Sequence, residues 1–215
     1  MLDTTVPHKK FFMKISEEDA SALPPAVLPP GYSVVPYWEG GAQAWGEIQA
    51  SVGGFDSVEE GEEFFDTVFL RHPQEAPRRV LFVLDAGGDP VATGSAWFAW
   101  DEDGKRIPII HWIATKPDQQ GRGLGRAVVV EAIRKSLELD GGPIMLSTQT
   151  GSHVAMRLYH DLGFKTCRTA VFTSEKMRGG KLFTGAGENQ FEEGLEVLPQ
   201  VVEEEFVEQL RDAAI

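Results

Sequence analysis

The sequence predicts a single α/β domain with a mixed, mostly antiparallel sheet and helices on both faces. Three segments typical of strands follow one another with short Gly/Asp turns between them, which predicts an antiparallel meander. A strand, a helix and another strand then follow in that order, which requires a right-handed crossover and hence one parallel pair. The 215 residues are 42% hydrophobic and 25% charged, a composition that suits one well-formed core.

The meander consists of "RVLFVLD", "VATGSAWFAW" and "RIPIIHWIAT", joined by "AGGDP" and "DEDGK". "DEDG" begins like a calcium-binding loop, but it lacks the further spaced acids and the closing Glu, so we predict a hairpin turn. No Cys/His cluster has the spacing of metal ligands, and we predict no metal site.

Two helices are predicted before the meander, in "EGGAQAWGEIQASVG" and "SVEEGEEFFDTVFLRH". The second carries Phe64, Phe65, Val68 and Phe69 on one side. Ser57, followed three residues later by a glutamate, indicates a capping box at its start. Residues 1–30 include the proline-rich "SALPPAVLPPGY" and are expected to form an extended lead-in.

After the meander, a helix is expected from about Gly125 to Leu139, then a strand in "GGPIMLSTQT". "SHVAMRLYHDL" has helical spacing and ends at Gly163, with Phe164 as the hydrophobic residue that folds back. "CRTAVFTS" is expected to be a further strand. We assign the main domain to residues 31–175 and a C-terminal extension to 176–215, with a strand in "GLEVLP" and an acidic helix from about Val201.

Charge and cysteine content limit the function classes. The net charge of −13 argues against binding to nucleic acid and slightly favours cationic partners, although a solvated acidic surface is the commoner cause. The single cysteine, Cys167, excludes an internal disulfide, and neither a secretory signal nor a membrane-length apolar stretch is present. We therefore expect a cytoplasmic protein that binds no membrane, with a homodimer as an open possibility.

The segment "KPDQQGRGLGRAVVVEAIRK" places three glycines at the start of a predicted helix. Backbone N–H groups there are unpaired and face the positive end of the helix dipole, which suits a phosphate or pyrophosphate. Arg122 and Arg126 add positive charge. The segment is not a P-loop, and Val128 replaces the third glycine of a dinucleotide fingerprint.

The order "QGRGLG", then "SHVAMRLYHDLGF" about thirty residues later, resembles the Gcn5-related N-acetyltransferases from about Tyr32 to Ser174. This resemblance implies that the two parallel central strands splay apart and that the loop binds the pyrophosphate of acetyl-coenzyme A. Ser152 stands where many members have Asn, but a serine can still cap the helix and donate a hydrogen bond. By resemblance the cofactor-binding residues are Ile113, Ala114, Thr115, Gln120, Gly121, Arg122, Gly123, Leu124, Gly125, Arg126, Ser152 and Ala155.

Acyl transfer to an amine needs a proton acceptor for the amine and benefits from a proton donor to the departing thiolate. The resemblance implies Tyr159 as the donor, while packing against Leu158 and Leu162 is the structural alternative. His111 is the candidate acceptor, and a structural histidine bonded to a carbonyl is an equal alternative. Strand alternation predicts that residues 109, 111, 113 and 115 share one face.

Other side chains have weaker claims. His153 and His160 are poorer candidates for proton transfer, and Cys167 is badly placed for a nucleophile. Trp97, Trp100 and Trp112 are expected either to line an acceptor pocket or, more commonly for strand aromatics, to belong to the core.

The predicted function is transfer of an acetyl group from acetyl-coenzyme A to a primary amine of a small molecule or peptide, by direct attack. A non-catalytic acyl-coenzyme A sensor or interaction module is the alternative. A nucleotide-binding domain of another kind is a third, weaker option.

Overall fold

A computed structural model describes residues 2–215, apart from the side chain of Arg178. The strands are β1 (Lys10–Ile15), β2 (Ser33–Pro36), β3 (Val80–Leu84), β4 (Pro90–Trp100), β5 (Arg106–Thr115), β6 (Ile144–Gln149), β7 (Lys165–Thr166), β8 (Thr173–Arg178) and β9 (Lys181–Ala186). The α-helices are α1 (Glu17–Ser21), α2 (Gly41–Ser51), α3 (Val58–Phe64), α4 (Ala76–Arg79), α5 (Leu124–Asp140), α6 (His153–Asp161), α7 (Phe191–Val197) and α8 (Glu204–Asp212).

The strands form one sheet in the order β2-β3-β4-β5-β6-β1-β7, and the β8–β9 hairpin joins it through β4. Every pair is antiparallel except β5 and β6, which run parallel on either side of the α5 crossover. The predicted meander is β3-β4-β5. The predicted fold class, a mostly antiparallel mixed sheet with one parallel pair and helices on both faces, is confirmed.

Short Asp/Gly turns close the meander as predicted. Between β3 and β4, the Asp85 carboxylate accepts hydrogen bonds from the backbone N–H groups of Gly87 and Asp89, at 2.9 and 3.0 Å. Asp101 plays the same part in "DEDGK", where its carboxylate accepts from the N–H groups of Asp103 and Lys105. These acidic side chains satisfy turn amides, so "DEDG" is a hairpin turn.

A hydrophobic core lies on each side of the sheet. On one side α5 packs through Val128, Val129 and Ile133, which are fully buried. On the other side Trp45 of α2 is completely buried among the aromatic rings of α3 and the π-helical turn that follows it. The predicted aromatic side of this helix is correct, since Phe64, Phe65, Val68 and Phe69 are all buried.

The capping of α3 matches the prediction in one half only. The Ser57 hydroxyl accepts from the Glu60 N–H at 3.2 Å. The Glu60 carboxylate, however, accepts from the N–H of Asp56 and not from that of Ser57. The return hydrogen bond from Glu60 therefore reaches the N–H one residue before the one used in a standard capping box.

The N-terminal segment differs from the predicted extended lead-in. Residues 10–15 form β1, which lies between β6 and β7 in the interior of the sheet. Phe11, Phe12, Met13 and Ile15 are almost completely buried there. The short apolar run is therefore a central strand, and helix α1 follows it directly.

Two C-terminal predictions are also wrong. Residues 167–172 of "CRTAVFTS" form no strand; β7 ends before them and β8 begins after them. "GLEV" belongs to helix α7, because Phe191, Leu195 and Leu198 recur at helical spacing and are buried. The acidic helix is confirmed as α8, although it begins at Glu204. Helix α6 ends as predicted, with Gly163 at a φ of 92° and the N–H of Phe164 bonded to the Tyr159 carbonyl.

Candidate functional site

A bulge in β5 opens the centre of the sheet. Trp112 has a φ of 52°, a left-handed conformation that is unusual for a bulky residue. The buried Gln49 side chain donates to the Trp112 carbonyl at 3.0 Å, and the Ser95 hydroxyl donates to the His111 carbonyl at 2.8 Å. A side chain at Gly94, opposite the bulge, would collide with Ile113. Contacts from α2 and β4 therefore hold β5 in this distorted path.

The bulge overturns the predicted alternation along β5. Ile109 and Ala114 belong to the core on the α2–α3 side, whereas Ile110 and Ile113 belong to the core on the α5 side. The extra residue at the bulge reverses the side-chain direction, so Ile109 and Ile113 do not share one face.

Beyond the bulge, β5 and β6 separate. The only partner pair in register between them is Ile109 and Met145, among the residues that the structure describes. A cavity of about 350 Å³ follows, which we call the strand cleft. The strand cleft is lined by His8, Lys10, Ile110, His111, Trp112, Ile113, Ser147, Thr148, Gln149, Ser152, Ala155 and Tyr159.

The glycine loop lies at the end of β5 and leads into α5. Gly121 and Gly123 have φ angles of 76° and 83°, and a methyl group at either position would meet no atom within 4 Å. The Gln120 side chain ties the loop to β5 by donating to the Thr115 carbonyl at 3.0 Å. In the described part of the chain, the backbone N–H groups of residues 121 to 126 have no hydrogen-bond acceptor, and the first paired one is that of Ala127.

Tyr159 and His111 both line the strand cleft. Tyr159, on α6, is 7% exposed, and its hydroxyl has no hydrogen-bond partner among the described residues. His111 is partly buried, and its ring nitrogens likewise have no partner among them. The alternative of a structural histidine bonded to a carbonyl therefore receives no support from the described contacts.

Burial sets the protonation of both groups. Burial raises the pKa of Tyr159 well above its usual value, so the hydroxyl stays protonated. Burial, with smaller contributions from the ammonium groups of Lys176 and Lys10, lowers the pKa of His111 to about 3. The imidazole is therefore neutral at physiological pH.

A second cavity, of about 470 Å³, adjoins the strand cleft on the α2–α3 side. We call it the aromatic cavity, because Phe12, Phe55, Phe64, Trp112, Phe172 and Phe183 contribute to its wall. Lys10, His111, Trp112 and Ser147 line both cavities, so the two spaces meet at His111. The volume of the aromatic cavity is typical of a pocket for a small molecule.

The strand cleft brings together five of the fourteen predicted site residues, whereas Ala114, Thr115 and residues 120–126 line neither cavity. Ile113, Ser152 and Ala155 line the strand cleft, and Trp112 lines both cavities. Trp97 packs in the core against Phe69, and neither it nor Trp100 lines either cavity. His153, His160 and Cys167 also lie outside both cavities.

Sequence analysis missed Lys10 on β1 and Lys176 and Phe183 on the β8–β9 hairpin, all of which line the aromatic cavity. A signal for the hairpin exists: "EKMRGGKLFT" has two glycines between alternating segments. Gly179 and Gly180 have φ angles of 56° and 68°, as such a two-residue turn requires.

No helix within residues 2–215 combines the length and apolar character that crossing a bilayer requires.

Comparison with known proteins identifies related chains. The sequence is 28% identical over 164 residues to a mycothiol acetyltransferase of Pseudarthrobacter chlorophenolicus, covering 72% of this chain and 48% of the relative. It is 26% identical over 156 residues to a mycothiol acetyltransferase of Kytococcus sedentarius, covering 70% and 50%. The chain thus spans about half the length of these curated relatives.

Solved structures share the fold at low identity. A GCN5-related N-acetyltransferase from Sphaerobacter thermophilus has a TM-score of 0.55 and 17% identity, over 86% of this chain and 52% of that one. An acetyltransferase of the GNAT family from Colwellia psychrerythraea has a TM-score of 0.57 and 12% identity, over 77% and 55%.

The sequence model of the acetyltransferase (GNAT) family matches residues 45–164, a range that runs from α2 through the bulged strand and the glycine loop to the end of α6. This range is more than half of the 215 residues. The chain therefore belongs to the GNAT family of acetyltransferases.

Proposed function

We propose that this chain transfers an acetyl group from acetyl-coenzyme A to a primary amine of a small molecule or peptide by direct attack. The observation that carries the proposal is the run of unpaired backbone N–H groups from residue 121 to 126, which follows β5, one of the two separated parallel strands that line the strand cleft. Unpaired N–H groups at a helix start are suited to a pyrophosphate. The open edge of β5 is suited to the amides of a pantetheine arm.

The residues assigned to the cofactor fall into three groups. Gln120, Gly121, Arg122, Gly123, Leu124, Gly125 and Arg126 would hold the pyrophosphate, Ile113, Ala114 and Thr115 would pair with the pantetheine amides, and Ser152 and Ala155 would bound the thiol end. Support comes from the loop's free donors and from the lining of the strand cleft by Ile113, Ser152 and Ala155. When bound, acetyl-coenzyme A supplies the activated acyl group.

Tyr159 is proposed to donate a hydrogen bond to the departing sulfur. Its pKa is raised by burial and lies above that of an ordinary thiol, near 8.5, so the proton stays mostly on the tyrosine. The hydroxyl would stabilise the thiolate by that hydrogen bond as the carbon–sulfur bond breaks. Its unpaired position at the strand cleft is consistent with this role.

His111 is proposed to receive the proton of the attacking amine at the junction of the two cavities. A base with a pKa of about 3 is weak against an alkylamine near 10.4, so the imidazole would pass the proton on to water and not retain it. Most of the rate would then come from holding amine and thioester in contact. The assignment of the main domain to residues 31–175 is not retained, because β1 (Lys10–Ile15) lies inside the same sheet and β8 (Thr173–Arg178) crosses the limit at 175.

Titration with coenzyme A tests the proposal, with two glycine variants as a matched pair. Gly121 and Gly104 both have a φ of 76°, and a methyl group at either would meet no atom within 4 Å. Alanine in this conformation costs about 1 kcal/mol of stability at either site. Only Gly121→Ala should weaken coenzyme A, by about tenfold to a hundredfold, because it disturbs one or two charge-assisted hydrogen bonds.

Calorimetry measures the affinity, and urea unfolding verifies the equal loss of stability. If the Gly121→Ala and Gly104→Ala variants bind coenzyme A with equal affinity, the glycine loop is not part of the cofactor site. Binding without thiol release on any amine of a broad panel would favour the alternative, a non-catalytic acyl-coenzyme A sensor. Tighter binding of NAD or ATP than of coenzyme A would favour a nucleotide-binding domain of another kind.

A further inference from the structure

The aromatic cavity contains two lysines that sequence analysis did not connect. Lys10 comes from β1 and Lys176 from β8, and both line this cavity. Within the described part of the chain, neither ammonium group has a carboxylate within the 4.0 Å that defines an ion pair. Two unpaired cations facing one small cavity are unusual in a chain whose net charge is −13.

Lys10 is positioned by its surroundings. Its backbone N–H donates to the Gln190 side chain at 3.2 Å, and its carbonyl accepts from the Gln190 N–H at 2.9 Å. Its side chain crosses directly over Gly187, where an added methyl group would lie 2.8 Å from Nζ. The absence of a side chain at residue 187 thus leaves the path that the lysine follows to the cavity.

The acids that line the aromatic cavity do not neutralise these lysines. Glu175 bonds to His72 at 2.7 Å and lies 3.5 Å from Arg71. Glu60 is exposed, and its carboxylate caps the N–H of Asp56. The remaining titratable group that faces the lysines, His111, is neutral at physiological pH.

The Ser174 hydroxyl adds a further donor to the wall of this cavity. Ser174 is 4% exposed and lines the aromatic cavity, and its hydroxyl has no hydrogen-bond partner among the described residues. This hydroxyl is thus free to donate to a group bound in the cavity. Hydroxyl and ammonium donors together match the oxygens of a carboxylate or phosphate.

Burial also acts on the two lysines. Burial lowers the pKa of Lys10, and burial together with the charge of Lys10 lowers the pKa of Lys176. Because both lysines line the aromatic cavity, an anion bound there would lie near both ammonium groups. A bound oxyanion would further favour the charged state of both, since an opposite charge stabilises an ammonium group.

We infer that the aromatic cavity binds an amine that also carries an oxyanion, a carboxylate or a phosphate, and that Lys10, Lys176 and Ser174 hold that group. This inference rests on the proposed function and specifies its acceptor. The aromatic wall would cover the apolar part of the acceptor, and the amine would lie beside His111, where the aromatic cavity meets the strand cleft. Both lysines act as specificity-determining residues that contact the oxyanion of the acceptor.

Two pairs of amines, matched except for the anion, test the inference. L-Phenylalanine is compared with phenethylamine for the carboxylate, and phosphoethanolamine with ethanolamine for the phosphate. We expect the anionic member of at least one pair to have a kcat/KM at least about tenfold higher, as charge-assisted hydrogen bonds allow. The pair that shows the preference identifies which oxyanion is bound.

Lys10→Met and Lys176→Met should each reduce that preference about tenfold, mainly through KM, and Lys176→Met, at a residue outside the strand cleft, should leave coenzyme A affinity unchanged. The control is Lys165→Met, since Lys165 is exposed and lies outside both cavities. If the variant at Lys10, which lies in the sheet interior, does not fold, Lys176→Met alone decides. The inference would be overturned if the neutral amines had the same kcat/KM as the anionic ones. It would also be overturned if the Lys176→Met variant kept the same preference as the wild type.

The outcomes separate this inference from the proposed function. A chain that binds no coenzyme A refutes the proposed function, and calorimetry with L-phenylalanine or phosphoethanolamine alone then still tests the lysines. Acetylation of neutral amines with no anion preference leaves the proposed function intact and refutes only the anion site.

Discussion

Replacing His111 with glutamine should make the protein less sensitive to mild acid. In the folded chain the pKa of His111 is about 3, lowered from 6.5 mainly by burial and further by the charges of Lys176 and Lys10. Glutamine has similar size and polarity but does not titrate. The substitution therefore removes the free-energy cost of keeping this imidazole neutral in mild acid. The difference in acid-induced loss of stability between variant and wild type then reports on residue 111 alone.

The sign and size of this change in stability with pH follow from proton linkage. Between pH 6.5 and 3 the unfolded chain binds a proton at residue 111 that the folded chain does not bind, so stability falls as the pH falls. At pH 5 the unfolded pKa lies about 1.5 units above the pH, and one unit corresponds to about 1.4 kcal/mol. The wild type should thus lose no more than about 2 kcal/mol from this residue between pH 7 and pH 5.

Urea unfolding at pH 7 and pH 5 measures the effect. We expect the His111→Gln variant to lose about 2 kcal/mol less stability than the wild type over this interval. His8→Gln, which replaces an exposed imidazole, is the control and should follow the wild type. An NMR titration that places the pKa of His111 near 6.5, or equal acid losses in wild type and variant, would refute the reasoning.

Two further predictions concern stability and catalysis. Arg79 is 2% exposed and donates to Asp140 at 2.5 and 3.0 Å and to the Ala96 carbonyl, so Arg79→Met should lower the free energy of unfolding by about 3–5 kcal/mol. Arg134→Met, at an exposed ion pair, should cost under about 0.5 kcal/mol in the same urea titration, and equal losses would contradict the assignment. Tyr159→Phe should lower kcat about a hundredfold in a thiol-release assay and leave the coenzyme A affinity within a factor of about three. An unchanged kcat would mean that Tyr159 has only a structural role and does not assist the departure of the thiolate.

Local patterns in the sequence predict the parts of the fold that depend on local contacts. The meander follows from alternating segments and Asp/Gly turns whose carboxylates bond to the next amides. The end of α6 follows from Gly163, because a glycine there adopts the left-handed conformation without a steric penalty. The order of strand, helix and strand fixes the parallel pairing of β5 and β6.

Long-range contacts account for what a single sequence does not reveal. Strand β1 pairs Lys10 with Gln149, and no local pattern in "KKFFMKI" specifies a partner so far along the chain. The bulge at Trp112 depends on Gln49 and Ser95, which come from other elements, and it reverses the face that alternation predicts. Helix α7 is different: the spacing of Phe191, Leu195 and Leu198 was a usable signal, outweighed by the short β-like string "GLEVLP".

The missed strand and hairpin change the chemistry of the proposed site. Without Lys10 and Lys176, the site would consist of a neutral imidazole, a protonated tyrosine and aromatic rings, none of which discriminates between acceptors by charge. With both lysines, the aromatic cavity attracts an oxyanion and repels a protonated amine. The repulsion lowers the pKa of the bound amine and so favours the neutral nucleophile. Because the imidazole of His111 is a weak base, these two charges would therefore contribute to the deprotonation of the amine.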